Sequence, residues 1–302
     1  MHSSIAGNEI KKSTNIVFNI VFIILSIICI VPLIFVISIS FSSENSVVTY
    51  GYSLWPREWS LSAYQYVVAQ STQLLDAYGI SIFTTVVGTL LGIFLNSSMG
   101  YVLSRRNYKF NKFFTYMILI TMLFNGGMIS FYLVVSRFLN LNDNVLALIL
   151  PGSVSAFNII VMRTFIRQSV PDSCIESASI DGASQLKIFF RIVMPMSLPA
   201  MATIGLFMTI FYWNSWFNAM LFINDPALMP LQEFMMNILQ NIQFLAQNMS
   251  AMGSNSMDAL SNLPQQTAQM AIVVLSTLPI VCSYPFFQRY FISGLTIGAV
   301  KG

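Results

Sequence analysis

Long apolar runs separated by short polar segments dominate this chain. Six stretches, centred on residues 16–41, 78–104, 113–136, 144–163, 197–223 and 268–288, are each apolar over about the 20 residues that a helix needs to cross a bilayer. They predict an all-α, polytopic membrane protein with six transmembrane helices. Pro32 and Pro151 fall inside the first and fourth runs, where a helix bundle tolerates them. Lys11 and Lys12 precede an uncharged run over 13–43. That is far longer than the roughly 7–15 apolar residues of a cleavable signal, so it predicts a retained first span.

The charges fix a topology. With the N-terminus in the cytoplasm, the inner segments hold Lys11, Lys12, Arg105, Arg106, Lys109, Lys112, Arg163, Arg167, Lys187, Arg191, Arg289 and Lys301. The outer segments hold only Arg57 and Arg137. Basic residues concentrate on the cytoplasmic side of membrane proteins, so both termini are expected there. The organisation expected is a cytoplasmic tail over 1–12 and one membrane domain over 13–302. Two outer segments are long. Residues 42–76 carry Trp55, Trp59 and Tyr64, which suit the membrane interface. Residues 224–267 are acidic, with a Met-rich helical pattern over 230–245 and a Ser/Asn/Met/Gly-rich part over 249–262, within a stretch 246–263 expected to be mobile.

Composition agrees and excludes alternatives. Hydrophobic residues make up 56% of the 302 and charged residues only 8%, against about a quarter in soluble domains. Three isolated cysteines and one histidine, His2, can build neither a disulfide framework nor a metal or His-based catalytic site. That argues against a membrane enzyme. The spans hold essentially no ionisable residue away from their ends. A proton-coupled carrier needs such a group at mid-membrane. The chain also lacks a Gly-x-x-x-x-Gly-Lys-Ser/Thr nucleotide loop. It is expected to bind no cofactor itself, and nothing in it implies a nucleic-acid partner.

One polar segment stands apart. Between the fourth and fifth spans, residues 170–195 predict two short amphipathic helices joined at a bend. Pro171 and Asp172 suit a first helical turn, Gly182 breaks the segment, and a second helix runs from about Ser184 to Pro195. Leu186, Phe189, Phe190 and Val193 share its apolar face, and Lys187 and Arg191 its cationic face. Glu176, Ala178, Gly182, Ile192 and Pro195 are spaced as Glu-x-Ala, Gly four residues on, nine residues, then Ile-x-x-Pro.

This spacing resembles the EAA loop of ABC importer permeases of the maltose type, the binding-protein-dependent carbohydrate uptake family. Asp181-Gly182-Ala183 is similar to the variant found in sugar importers. Ser177 and Met194 replace an Ala and a Leu of the family pattern. The C-terminus, over 289–302, resembles the family tail ending in Gly-x-Val-Lys-Gly, here Gly298, Ala299, Val300, Lys301 and Gly302. Asn125-Gly-Gly-Met-Ile and the run from Tyr212 to Asn218 resemble a subgroup linked to complex oligosaccharides and uronate-containing glycans.

The resemblance implies a permease subunit of an ATP-driven oligosaccharide importer in the bacterial cell membrane. It implies a homologous second permease as heterodimer partner, two copies of a cytoplasmic ATPase subunit that holds ATP and Mg, an extracellular solute-binding protein, a sugar substrate and the lipid around it. Residues 170–195 would be the cytoplasmic coupling helices, with Glu176 bonding the ATPase and Gly182 allowing close approach. The tail would insert between the ATPase subunits, and the outer segment 224–267 would meet the binding protein. Closure of the ATPase would drive alternating access. Asn125, Tyr132, Tyr212, Asn214, Trp216 and Asn218 could line the substrate pathway, since rings stack on sugars and amides bond hydroxyls. Interfacial aromatics and interhelical amide bonds are the competing reading of the same residues. The alternative for the whole chain is an autonomous channel or secondary carrier for a neutral polar solute.

Overall fold

A computed structural model describes residues 12–69, 71–247 and 264–299. The described chain is helical almost throughout. In order, the helices are α1 (Lys12–Ser40), α2 (Glu44–Tyr50), α3 (Ser62–Val68), α4 (Ser71–Ser104), α5 (Asn111–Leu123) and α6 (Gly127–Phe138). They continue with α7 (Leu146–Ile149), α8 (Ala156–Ser169), α9 (Asp172–Ile180) and α10 (Gln185–Met196). The last four are α11 (Leu198–Trp213), α12 (Trp216–Phe222), α13 (Leu231–Gln247) and α14 (Gln265–Ala299).

Among the described residues, three stretches are long and apolar enough to cross a membrane: Thr14–Ser40, Gln73–Ser104 and Gln265–Phe286. The number rises to five if two bent pairs each count as one span. The six-span expectation is therefore met in part, and the shortfall has local causes. The run 113–136 is two helices, α5 and α6, bent by 116°. Gly127 sits at φ +82°, and Asn125 Oδ1 accepts its N–H at 2.9 Å, a turn that no helix continues through. The run 144–163 is divided between α7 and α8, because Pro151 and Gly152 stop one helix before Ser155 caps the next. The run 197–223 begins at an 82° bend between α10 and α11, and is interrupted again at Asn214 and Ser215.

The contacts divide the chain into two units, residues 1–69 with 241–275, and residues 70–240 with 276–302. In the first unit, α1 exposes apolar side chains all round, from Ile16 and Phe18 to Ile34 and Ile37. A helix without a polar face has lipid or another membrane helix as its natural surroundings. The N-terminus of α14 has no acidic residue in its own first turn. Glu44 supplies one: its carboxylate accepts the backbone N–H groups of Gln266 and Thr267, both at 3.0 Å, and the Thr267 hydroxyl at 2.7 Å. This is a helix cap delivered from 222 residues away. Trp55 and Trp59 meet edge to face at 5.6 Å and remain largely exposed. Tyr64 lies against Ser40, its hydroxyl 2.9 Å from the serine oxygen, and burial pushes its phenol above the ordinary tyrosine range.

In the second unit α4 is the axis on which α8 and α11 pack. Gly88, Gly92, Asn96 and Gly100 recur every fourth residue and so share one face. A Cβ at Gly88 would lie 2.5 Å from the Tyr212 ring, and one at Gly100 2.6 Å from Met162. These small positions let the backbones approach closely, as membrane helices require. Below them, Tyr101, Met162, Ile166, Ile188, Phe189, Val193, Ile204 and Met208 form one buried cluster. The last carbonyls of α4 are capped by cations. Arg163 Nε donates to Leu103 O and Arg167 Nε to Ser104 O, each at 3.1 Å.

On α13, Leu231, Phe234, Met235 and Ile238 are buried at helical spacing. Glu233 beside them is only 6% exposed, and its Oε2 has no hydrogen-bond partner among the described residues. Burial raises its pKa, and a hydrogen bond with Asn237 offsets part of that rise. A carboxyl whose folded pKa is raised binds its proton more tightly in the folded state. Its stabilising contribution is full below the unfolded pKa and is lost as pH rises through the folded value. Glu233→Gln is therefore expected to raise stability at neutral pH, by about 1 kcal/mol or more, and to flatten the pH dependence. Thermal unfolding of the detergent-solubilised chain between pH 5 and 8 measures both. A variant that unfolds at lower temperature at pH 8 would contradict the assignment.

Candidate functional site

The polar segment between α8 and α10 folds from its local sequence. Pro171 precedes α9 with extended backbone at ψ 136°, and Asp172 opens the helix, where an acid suits the dipole. Asp172 also pairs with Arg105 at the end of α4, at 3.0 Å. The helix ends in a Schellman motif. The N–H of Ala183 bonds Ala178 O at 2.9 Å, that of Gly182 bonds Ser179 O at 3.1 Å, and Gly182 adopts φ +77°. Ser184 then caps α10 by accepting the N–H of Lys187. The turn that a Gly between two helices implies is thus formed, with the carbonyls of Ser177, Ala178 and Ser179 each accepting a backbone N–H.

The environment divides the segment into an inner and an outer side. Ile175, Ile188, Phe189 and Val193 are buried, and Ala178 and Ala183 pack against the same cluster. Tyr101 donates its hydroxyl to Gln185 Oε1 at 2.8 Å, a second tie to α4. Glu176, Asp181 and Gly182 are exposed, as is Pro195. No ion pair or hydrogen bond engages the Glu176 side chain among the described residues. Ile180 is 86% exposed and Leu186 71%. The bend therefore presents an unpaired carboxylate flanked by two uncovered apolar groups.

The apolar face of α10 differs from the expected one. Phe189 and Val193 are buried as foreseen, but Leu186 and Phe190 are exposed, and Ile188 takes the inner place. The cause is the π-helical turn over Phe189–Val193, which takes more residues per turn than the 3.6-residue period assumes. Phe190 instead lies parallel to Phe94, ring centroids 6.2 Å apart.

The six pathway residues lie in different surroundings. Asn125 is exposed in the α5–α6 bend. Tyr132 on α6 stacks on Phe222 at 5.7 Å. Tyr212 is 2% exposed, and its hydroxyl donates to Ile149 O at 2.7 Å. Asn214 caps α11 and bonds back to Ile210 O at 2.8 Å. Trp216 and Asn218 are half-buried on α12. In the terminal tail, Gly298 and Ala299 close α14, while Val300, Lys301 and Gly302 lie outside the described residues. So do residues 1–11, with His2, and residues 248–263 of the outer segment.

One residue was missed from the sequence. Asn96 on α4 is fully buried and repairs the gap between α7 and α8. Its amide donates to Ser153 O at 2.9 Å and to Gly92 O at 2.6 Å, and its oxygen accepts the Ser155 N–H at 3.0 Å. Ser153 O and Ser155 N–H are backbone groups that the broken span leaves unpaired, and in lipid they have no water to turn to. The signal available was its place in the four-residue repeat of small residues on α4.

Comparison with known proteins places this geometry. A family model described as binding-protein-dependent transport system inner membrane component matches residues 88–297. The polygalacturonan/rhamnogalacturonan transport system permease protein YtcP of Bacillus subtilis is 42% identical over 278 residues, 92% of this chain and 94% of that protein. Protein LplC of the same organism is 38% identical over 303 residues, 100% and 98% of the two chains. Among solved structures, a chain of a bacterial ABC transporter involved in the import of the acidic polysaccharide alginate superposes with a TM-score of 0.79 at 29% identity. It covers 94% of this chain and 99% of that one.

Proposed function

Because the chain belongs to the family of inner membrane components of binding-protein-dependent transport systems, we propose that it is one of two permeases in an ATP-driven oligosaccharide importer. Members of this family are membrane subunits of ABC transporters, ATP hydrolysis belongs to a separate subunit, and the relatives named above transport carbohydrates. The finer reading is a single membrane domain over 13–302 with six spans and both termini in the cytoplasm. The bent pairs α5–α6 and α10–α11 supply two spans, and α7–α8 supply another.

In this reading α9, the Gly182 bend and α10 are the coupling helices. Glu176, Ala178, Asp181, Gly182, Ala183 and Pro195 form or shape the surface that meets the ATPase. The observation that carries it is the bend itself: an ordered, projecting turn with an unpaired Glu176 and exposed Ile180 and Leu186, tied back to α4 through Asp172 and Gln185. Two copies of the ATPase would engage this chain and its homologous partner, each through one such bend. The tail, Gly298 to Gly302, would enter between them. The outer segment 224–267 would receive the binding protein, and Asn125, Tyr132, Tyr212, Asn214, Trp216 and Asn218 would border the pathway. ATP binding would close the motor, draw the bend inward and open the cavity outward.

Affinity purification in mild detergent, with mass spectrometry of the eluate, tests the assembly. An ATPase and a second multi-span permease are expected with this chain. A folded chain that elutes alone would refute the reading. Glu176→Ala should reduce ATPase recovery by roughly tenfold or more, since a charge-assisted hydrogen bond contributes about 1.5–3 kcal/mol. Unchanged recovery removes Glu176 from the contact.

A further inference from the structure

The break between α7 and α8 opens on a cavity of about 460 Å³. Its walls include Val154, Ser155, Phe157, Asn158, Phe207 and Phe211. The size falls in the roughly 300–1,000 Å³ range of small-molecule sites. It lies where α8, a helix of 14 residues, begins. The first N–H groups of a helix have no intrahelical acceptor, and its dipole makes that end electropositive. Among the described residues Ser155 Oγ accepts only the Asn158 N–H, at 3.5 Å.

A second observation points to a ligand. Asn158 is 7% exposed and lines the cavity, yet its side-chain amide has no hydrogen-bond partner among the described residues. Neither polar atom of that amide is among the fully buried unpartnered ones, so the amide is free to bond a ligand in the cavity. Asn96, on the opposite side of the same break, is fully bonded. The remaining wall is aromatic: Phe157, Phe207 and Phe211 are each about half exposed. Gly152 lets the Phe211 ring lie against the break, because a Cβ there would meet the ring at 2.2 Å. Among the described residues no acidic or basic side chain lines the space, so the helix end is its dominant electrostatic feature.

We propose that this cavity is a uronate subsite on the translocation pathway. The N-terminus of α8 receives the carboxylate of an acidic sugar unit, the Asn158 amide bonds that carboxylate or the adjoining hydroxyl, and the phenylalanine rings cover the apolar faces of the pyranose. Helix N-termini bind anions in this manner through backbone N–H groups and dipole together. The inference rests on the importer reading above and deepens it, by naming the charge of the cargo and the residues that sense it.

Occupancy can be read directly. Cys29, Cys174 and Cys282 are replaced by Ser, and Val154→Cys is introduced in the chain purified with its partners. The rate of alkylation by N-ethylmaleimide is followed with millimolar trigalacturonate, and with the same trisaccharide fully methyl-esterified. Trigalacturonate is expected to slow alkylation about fivefold or more and the neutral ester less than about twofold, because the helix terminus favours an anion. Asn158→Leu should abolish the protection. If that variant fails to assemble, the isosteric Asn158→Asp serves. It should lose protection by trigalacturonate through like-charge repulsion, and keep the weak protection by the ester. Equal protection by both sugars overturns the uronate assignment. Protection by neither overturns the subsite altogether and gives the cavity to lipid or to the second permease. Uptake of trigalacturonate by the same preparation in vesicles reads the importer assignment separately. Uptake without protection overturns the subsite alone, whereas protection without uptake supports the subsite and counts against the importer.

Discussion

Gly182→Arg is expected to leave the chain inserted at its normal level in the membrane and to lower ATP-driven sugar uptake by about a hundredfold. The two halves of that expectation come from different parts of the geometry. A Cβ at Gly182 would meet nothing within 4 Å, so the substitution forces no clash inside the chain. What it meets is a φ of +77°, which costs a residue with a side chain roughly 1–2 kcal/mol. A bundle held by the cluster around Ile188, Phe189 and Val193 can absorb that. The arginine instead occupies the outside of the bend, between exposed Asp181 and the apolar Ile180 and Leu186. In a docked interface it would be a bulky cation without a prepared partner. Burying such a charge costs several kcal/mol, and about 2.8 kcal/mol already corresponds to a hundredfold. Gly182→Ala separates the causes. It carries the same backbone strain without the bulk and should retain most of the uptake. Transport assays, with the membrane content of each variant measured by immunoblot, decide the matter. Persistent transport by Gly182→Arg would mean that the bend is not the coupling contact.

This prediction draws on a segment that was legible from its sequence because its structure is local. Pro-Asp at a helix start, Asp-Gly-Ala at a helix end and Ser before the next helix each specify their backbone within a few residues, and the chain forms all three. The membrane location of the long runs was legible for the same reason, since hydropathy needs no knowledge of partners. The internal face of α10 was not. A π-turn depends on how Phe189 and Val193 settle into the cluster with Met162 and Ile204, and a 3.6-residue count cannot foresee it. Nor was the fate of Tyr212, whose ring lies over Gly88 and whose hydroxyl reaches Ile149, 63 residues away in the chain. An aromatic–amide run reads equally well as a sugar wall or as packing until its neighbours are known. The breaks at Gly126-Gly127 and at Pro151-Gly152 were visible as residues, but a hydropathy average passes over them. Their consequence became visible only when Asn96 was found bonded across one of them.

Asn96→Leu is accordingly expected to be the most damaging single change in the second unit that leaves the coupling segment untouched. Leucine keeps the branching of asparagine but is bulkier, so at this fully buried position some overpacking adds to the lost hydrogen bonds. Ser155 N–H loses its acceptor and Ser153 O its donor, while Gly92 O returns to an ordinary helical partner. Each buried orphan costs about 1–3 kcal/mol, and neither has water to replace the bond, so the expected destabilisation is about 2–4 kcal/mol. Ser98→Ala, two residues on, removes only a bond to Leu95 O within the same helix. It should stay within about 0.5 kcal/mol. Unfolding by SDS titration in mild detergent, followed by the loss of helical circular dichroism, ranks the three proteins. A cost for Asn96→Leu below about 1 kcal/mol would mean that the break is held by packing of Gly92 and Gly152 against Met208 and Phe211 instead. The distinction matters beyond stability. If Asn96 fixes Ser153 and Ser155, it also fixes where α8 begins, and hence where that helix end and the Asn158 amide stand. A break held only by packing could slide along α4 as the spans rotate, whereas one held by two hydrogen bonds to a single side chain must move with α4 as a rigid piece.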